Sequence, residues 1–244
     1  MGSFLYHFFH NETNDRTEKG LVQIPKSEEE WPQEWKTIDY KRYILFHSIA
    51  LPDVRSNLFS LLSRRRSPVG ILRNEVSLDG LAQILKCGYG LQYLGRSGEW
   101  TEKRTVPSAG KRYPLELYPI LFKDVNGCKA GIYHYGVREH ALEPVTFDAI
   151  SQNELASYAR QEWLSEAVGM ICISAVFGRM TKKYGSRGYR YVLLEAGHVA
   201  QNMILSGTEN GINMIPVGGA NEVDFERRIG LTNSNERIVY MLFF

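Results

Sequence analysis

Apolar residues recur at helical spacing behind Pro52-Asp53, at Val54, Leu58, Phe59, Leu61 and Leu62. The stripe runs into Ser63-Arg64-Arg65-Arg66-Ser67 and is ended by Pro68. Ser77 then reads as the N-cap of a second helix that buries Leu78, Leu81, Ile84 and Leu85 and stops at Gly88 or Gly90. Residues 91–114 lack a clear period and hold Gly95, Gly98, Pro107, Gly110 and Pro114, which reads as a long functional loop. Strands are expected at Leu115–Phe122 and Gly131–Tyr135, with a turn at Asp124–Gly127 between them. Ser151 with Glu154 forms a capping box for a helix using Leu155, Tyr158 and Ala159. Val168–Phe177 is apolar on both faces apart from Ser174, the pattern of a fully buried strand. A long helix fills residues 188–209 with Tyr189, Val192, Leu193, Ala196, Val199, Ala200, Met203 and Ile204 on one face and Gly211 as its C′ residue. The loop Ile215-Pro216-Val217-Gly218-Gly219, a short helix from Glu222 to Gly230 and a final strand at Arg237–Phe244 complete the chain. No β-α-β repeat appears, so the expected class is α+β, a sheet covered by helices.

The chain has 244 residues, enough for one large domain or two small ones. Lys plus Arg is 29 and Asp plus Glu is 27, which argues against a dedicated nucleic-acid wrapper while allowing a local anion pocket. Three cysteines, Cys87, Cys128 and Cys172, are too few and too scattered for a disulfide framework or a cysteine-ligated zinc site, and a reducing, cytoplasmic setting is the simplest reading. No stretch is long enough to span a bilayer, and Met1–His10 lacks the pattern of a signal peptide. Residues 1–50 are read as an arm or partner-contacting extension, with Trp31 and Trp35 pinning its polar part, and 51–244 as the main domain.

Four segments carry candidate chemistry. Arg64, Arg65, Arg66 and Ser67 suit a phosphate clamp, or else a solvated charge run at a helix C-terminus. Pro107-Ser108-Ala109-Gly110 lets backbone N–H groups approach a planar or anionic ligand, or is a surface turn. Pro216, Val217, Gly218 and Gly219 offer a second such approach; neither a dinucleotide fingerprint nor a Walker A sequence occurs. Lys183-Tyr184 lies ahead of the long helix, where a lysine opposes the helix dipole unless solvent or an anion offsets it; the two form a proton-transfer pair, or a solvated lysine beside a core-edge tyrosine. Among the histidines, His198 reads as a partly buried, hydrogen-bonded residue. No metalloprotease motif or serine nucleophile elbow is present.

Taken in order, Arg65-Arg66-Ser67, Pro107-Ser108-Ala109-Gly110, Tyr113-Pro114-Leu115-Glu116-Leu117-Tyr118, Gly131-Ile132-Tyr133-His134-Tyr135 with Leu142-Glu143-Pro144, and Lys183-Tyr184-Gly185-Ser186-Arg187-Gly188-Tyr189-Arg190 with Glu195-Ala196-Gly197-His198 resemble the SagB-type subgroup of the nitroreductase-like flavoenzymes, from about residue 55 onward. That subgroup includes azoline dehydrogenases of thiazole- and oxazole-containing peptides. The resemblance implies a mostly antiparallel sheet flanked by helices, and a homodimer with FMN at the interface. It also implies a peptide substrate and a possible complex with a cyclodehydratase. By that resemblance Arg65, Arg66 and Ser67 hold the FMN phosphate, Ser108, Ala109 and Gly110 lie beside the isoalloxazine, Pro216–Gly219 cover the flavin, and Lys183 and Tyr184 abstract a proton. Two positions depart from the subgroup. Pro68-Val69 follows Ser67 where many relatives place an arginine, shifting weight to Arg64 or Arg104, and Lys111-Arg112 replaces a small-apolar pair after Gly110. An NAD(P)H-fed nitro or quinone reductase and a flavin-less scaffold subunit of a peptide-modifying complex are the competing readings.

Overall fold

A computed structural model describes residues 2–13, 27–38, 40–43, 45–67, 75–93, 100–158, 162–218, 220–232 and 234–244. In chain order its elements are α1 (Gly2–Thr13), α2 (Gln33–Lys36), α3 (Asn57–Arg64), α4 (Leu78–Tyr89), β1 (Leu91–Tyr93), β2 (Trp100–Arg104), β3 (Leu115–Leu121), β4 (Gly131–Gly136), β5 (Ala141–Thr146), α5 (Gln152–Tyr158), β6 (Gly169–Val176), α6 (Phe177–Tyr184), α7 (Gly188–Glu209), β7 (Ile215–Val217), α8 (Glu222–Ile229) and β8 (Glu236–Phe243). The main sheet has the order β5-β4-β3-β6-β8-β7 with every described pairing antiparallel, and β1 and β2 form a separate hairpin. The expected α+β class with a mostly antiparallel sheet flanked by helices holds.

β6 sits at the centre because both of its faces are apolar. Seven of its eight residues are buried, and it pairs along its length with β3 on one side and β8 on the other. One sheet face is covered by α4 and α7, through Leu81, Ile84, Leu85, Val192, Ala196, Val199 and Met203. The other is covered by α5 and α8, through Leu155, Phe225 and Ile229 against Ile132, Met170 and Cys172. A Cβ on Gly88 would lie 2.5 Å from the Met203 Cγ, so this glycine sets how closely α4 approaches α7. Pro119 lies inside β3, and the β3–β4 ladder is confined to Ile120 and Leu121 beyond it, as expected where a strand residue lacks its N–H donor.

Local signals decide the helix ends. The Ser77 hydroxyl accepts the Gly80 N–H at 3.0 Å, and Ser151 and Glu154 exchange bonds in the expected capping box. Gly211 has φ +72° just past the end of α7. The first stripe behaves differently from its sequence reading. Pro52-Asp53 stays extended, and the helix starts at Asn57, because the Ser56 hydroxyl takes the Phe59 N–H at 3.0 Å.

Other expectations are corrected. The long loop at 91–114 contains the β1–β2 hairpin, whose three- and five-residue strands are too short to show alternation. β5 was hidden by its exposed, proline-bearing edge pattern. α6 was hidden by its shortness: only Phe177 and Met180 of its eight residues are buried, and three of the others are basic. Trp31 and Trp35 pack on each other at 6.3 Å, with Trp35 41% exposed. The arm is also anchored by α1, where Phe9 and His10 meet Tyr189 and Phe177. His198 is exposed.

Gly169 opens β6 against the Ile120 carbonyl oxygen, 2.5 Å from where a Cβ would sit, and against the Phe244 ring. Backbone cannot yield as a side-chain tip does. Gly169→Ala is expected to destabilise the fold by about 1–3 kcal/mol, read as a lowered urea midpoint with an unchanged slope.

Candidate functional site

β3 and β6 are antiparallel neighbours, and the Val176 N–H donates to the Pro114 carbonyl at 2.8 Å. The chain entering β3 is therefore placed against the chain leaving β6. The entering chain is the 107–114 loop; the leaving chain is α6, which ends on Lys183 and Tyr184. At Gly110 the two meet. A Cβ there would lie 2.5 Å from the Lys183 Nζ and would collide with the Tyr184 hydroxyl. Lys183 lies in the last turn of its own helix, where the dipole favours a cation, which corrects the expectation of a lysine at a helix N-terminus. Its Nζ stands 5.4 Å from the Tyr184 ring centroid, and the Tyr191 ring abuts Tyr184 at 5.2 Å.

The loop is held in an unusual conformation. Gly110, Lys111 and Tyr113 have φ of +60°, +54° and +43°, a left-handed region costly for the two non-glycine residues. Several bonds hold it. The Ser108 Oγ accepts the Tyr113 N–H at 2.9 Å, the Arg104 N–H donates to the Tyr113 hydroxyl at 3.3 Å, and the Arg179 Nη1 donates to the Tyr113 carbonyl at 3.2 Å. In return the Arg112 Nε donates to the Arg179 carbonyl at 3.2 Å, so α6 and the loop are stitched in both directions.

Two polar clusters support this junction. Behind the loop, Glu195 on α7 is 2% exposed and its Oε1 accepts the Tyr89 hydroxyl at 2.9 Å. The Tyr89 oxygen in turn accepts the Leu115 N–H at 3.2 Å. The Arg104 guanidinium lies 4.2 Å above the Tyr89 ring and 5.2 Å from that of Tyr113. Burial pushes the Glu195 carboxyl above its usual range, partly offset by Ser108, Tyr89 and Arg104, and burial with the Glu195 charge pushes the Tyr89 phenol up. The Arg104 Nε and Nη1 and the Glu195 Oε2 are buried without hydrogen-bond partners. Sequence reasoning assigned Tyr89 and Glu195 no role. The available signal was a carboxylate on the same helical stripe as Val192, Ala196 and Val199.

Under α6, Arg179 bridges to Glu116 at 2.5 Å, and His134 sits between Glu143 (2.7 Å) and Glu116 (3.2 Å). Burial opposes ionisation of Glu116, but His134 and Arg179 outweigh it and hold the carboxyl below its ordinary value. The hydrogen bond to Glu116, against partial desolvation and with help from Glu143, raises His134 to about 9.

The remaining sequence-predicted residues lie elsewhere. Arg64, Arg65, Arg66 and Ser67 lie at the C-terminal end of α3, largely exposed; the Arg65 Nη1 donates to the Ser67 Oγ at 3.1 Å and the Arg66 Nη1 to the Ser63 carbonyl at 2.5 Å. Asn57, Leu58, Leu61 and Arg64 share a cleft of about 360 Å³ with Glu209, so this basic end rests against the far end of α7. With 22 residues, α7 is about 33 Å long, and the structure does not bring these residues to Lys183 and Tyr184 within one chain. Pro216 and Val217 are not in a glycine loop; they belong to edge strand β7, paired with Leu242 and Met241, and Val217 is buried. Gly218 is exposed, and Gly219 lies outside the described residues.

The donor chemistry suits a flavin nucleotide: a lysine–tyrosine pair packed on Gly110, and a guanidinium with unmet donors behind the loop. Fold and site together define the nitroreductase-like flavoenzyme class. Comparison with known proteins agrees. The nitroreductase family description matches residues 62–244, and the chain belongs to the nitroreductase family. A Methanocaldococcus jannaschii protein named as a nitroreductase is 34% identical over 174 residues, covering 70% of this chain and 83% of its own. The trifolitoxin-processing protein of Rhizobium leguminosarum bv. trifolii is 31% identical over 58% of this chain, and the microcin B17-processing protein of Escherichia coli 30% over 62%; the matches span 40% and 56% of those proteins. Among solved structures, the Escherichia coli microcin synthetase complex with truncated pro-microcin bound superposes at a TM-score of 0.76, with 21% identity, over 98% of this chain and 91% of that one. A nitroreductase-like protein of Desulfovibrio desulfuricans in complex with FMN superposes at 0.53, with 14% identity, over 78% of this chain and 86% of that one. Among the described residues no helix is long and apolar enough to cross a membrane, and no group of side chains suits a metal ion.

The His134 proton predicts a pH dependence. A raised value in the folded state means that its stabilisation is fully present below the ordinary histidine value of 6.5 and is lost as pH rises through about 9. The stability difference between the native protein and His134→Gln, measured by denaturant unfolding, is expected to shrink steadily across that interval and to vanish above it.

Proposed function

We propose that this chain is an FMN-dependent dehydrogenase that oxidises thiazoline or oxazoline rings in a ribosomally made peptide to thiazoles or oxazoles. The observation that carries the reading is the convergence of the Lys183 ammonium and the Tyr184 hydroxyl on Gly110. Tyr184 takes a proton from one ring carbon, with the Lys183 ammonium beside it to orient the pair. Ser108, Ala109 and Gly110 present small groups and backbone to a flat ring, and the bonds that fix the loop keep the acceptor oxygen in place. The other hydrogen leaves with the bonding electron pair, and FMN, when bound, supplies the two-electron acceptor for it. Kinship with the trifolitoxin- and microcin B17-processing proteins supports a peptide substrate, and likeness to a synthetase complex supports association with a cyclodehydratase that forms the azoline.

A homodimer completes the site in this reading. Arg65, Arg66 and Ser67, with Arg64 beside them, hold the FMN phosphate of the partner's site, since α7 keeps them from Lys183 and Tyr184 of their own chain. α3 buries none of its residues, and Ile38, Tyr40, Tyr43, Leu45, Phe46, Ile49 and Leu51 before it are 78–89% exposed, which suits an apolar surface covered by a second copy. Pro216, Val217, Gly218 and Gly219 take the flavin-covering role from edge strand β7 and its continuation. The Methanocaldococcus relative favours one competing reading, a reductase fed by NAD(P)H; rapid bleaching of FMN by NADPH without peptide is its signature.

Tyr184→Phe and Lys183→Ala are each expected to slow single-turnover oxidation of an azoline peptide by about 10²–10⁴-fold while FMN absorbance is retained. Undiminished rates in both variants would strip Tyr184 and Lys183 of their part in proton transfer. Mixing an Arg65→Ala/Arg66→Ala protomer with a Lys183→Ala protomer is expected to regenerate one working site per heterodimer, measured as activity recovered from two inactive parents.

A further inference from the structure

The chain's basic residues are unevenly placed. Residues 103–115 and 177–194 contain nine lysines and arginines and no aspartate or glutamate, so the rest of the chain carries 20 basic residues against 27 acidic ones. These two segments are the ones the fold joins at Gly110. Lys111 follows Gly110 directly and Lys182 precedes Lys183, and both are exposed; Arg187 and Arg190, also exposed, continue the same sign through the turn into α7. Glu12 lies on α1, which packs against the Gly185–Arg187 turn, and is the one exposed carboxylate of a neighbouring described helix on this side; the two acidic groups at the junction itself are already engaged. Glu116 is bound to Arg179 and His134, and Glu195 is buried behind the loop.

We propose that Lys111, Lys182, Arg187 and Arg190 form a docking rim for an acidic peptide, and that they select substrates whose reacting ring is flanked by aspartate or glutamate. This rests on the azoline-dehydrogenase reading of the same site. Charge complementarity is the argument. A concentration of one sign at a site entrance, on a protein whose remainder is net acidic, attracts the opposite charge and orients it as it arrives. The form of the surface favours an extended peptide. The charges are spread along a loop, a helix end and a turn, and a cavity of about 570 Å³ between α4 and the β4–β5 hairpin is lined by none of them. Lys111 takes a left-handed φ of +54°, so the cation is held beside Gly110 at a conformational cost.

The test uses the FMN-loaded protein and three labelled model peptides that are alike except for acidic, neutral or basic residues around a central ring-forming position. Binding is followed by fluorescence anisotropy at low and at about 0.3 M salt, and ring oxidation is followed separately on the corresponding azoline peptides. The acidic peptide is expected to bind most tightly, with the advantage lost at high salt. Lys111→Asn/Lys182→Gln is expected to weaken the acidic peptide by about fivefold and leave kcat for the neutral azoline peptide unchanged. The reversed pair, Lys111→Asp/Lys182→Glu, is expected to make the basic peptide the preferred one; asparagine and aspartate tolerate the left-handed backbone. Equal or absent binding of the three peptides overturns the proposal, as does an order that survives charge reversal. So does an effect of the variants on NADPH-driven FMN reduction alone. Binding selectivity without ring oxidation leaves the rim standing and removes the dehydrogenase reading.

Discussion

The close approach of Gly110 to the Lys183 ammonium and the Tyr184 hydroxyl is the contact from which the rest of the site follows, and it exists only because residue 110 has no side chain. Two strands set it up. β3 and β6 pair antiparallel over seven residues, so the loop before one and the helix after the other must emerge at the same end of the sheet. Reciprocal arginine bonds then lock the loop to the helix. The strained conformations of Lys111 and Tyr113 persist because these bonds over-determine them, which is how a fold holds reacting groups in a geometry that the free chain avoids.

The two supporting clusters do different electrostatic work. Glu195 and Arg104 flank the buried Tyr89 phenol, and the Arg104 charge offsets part of the cost of burying the Glu195 carboxylate. Glu143, His134, Glu116 and Arg179 alternate in sign from the sheet edge toward α6, partly in contact with solvent. The first cluster backs the loop and the second backs the helix, so the lysine–tyrosine pair is framed from both sides by groups that bear charge without being consumed.

Much of the scaffold was legible in the chain because its signals are local. The Ser77 cap, the Ser151–Glu154 box, the two-sided apolar run of β6 and the long stripe of α7 each depend on residues a few positions apart. α6 was not legible, since eight residues with two buried positions cannot establish a period, and reading Lys183 without its helix gave the dipole argument the wrong sign. The Arg104–Tyr89–Glu195 cluster joins positions up to 106 residues apart, and nothing local announces it. The relation of Gly110 to Lys183 likewise follows from strand pairing. Resemblance to a family suggested that both belong to one site, and the fold supplies the physical reason that they touch. The same fold shows why Arg64–Ser67 do not join them: the helix that carries much of the core is also the spacer that keeps them apart.

Both outer strands of the main sheet carry a proline, Pro144 in β5 and Pro216 in β7. Each removes an amide donor from a margin where a further strand would otherwise zip on. Both margins are thereby poorer templates for self-templated strand addition. The same prolines favour engagement of other molecules through side chains presented by loops and helices over strand addition at these edges.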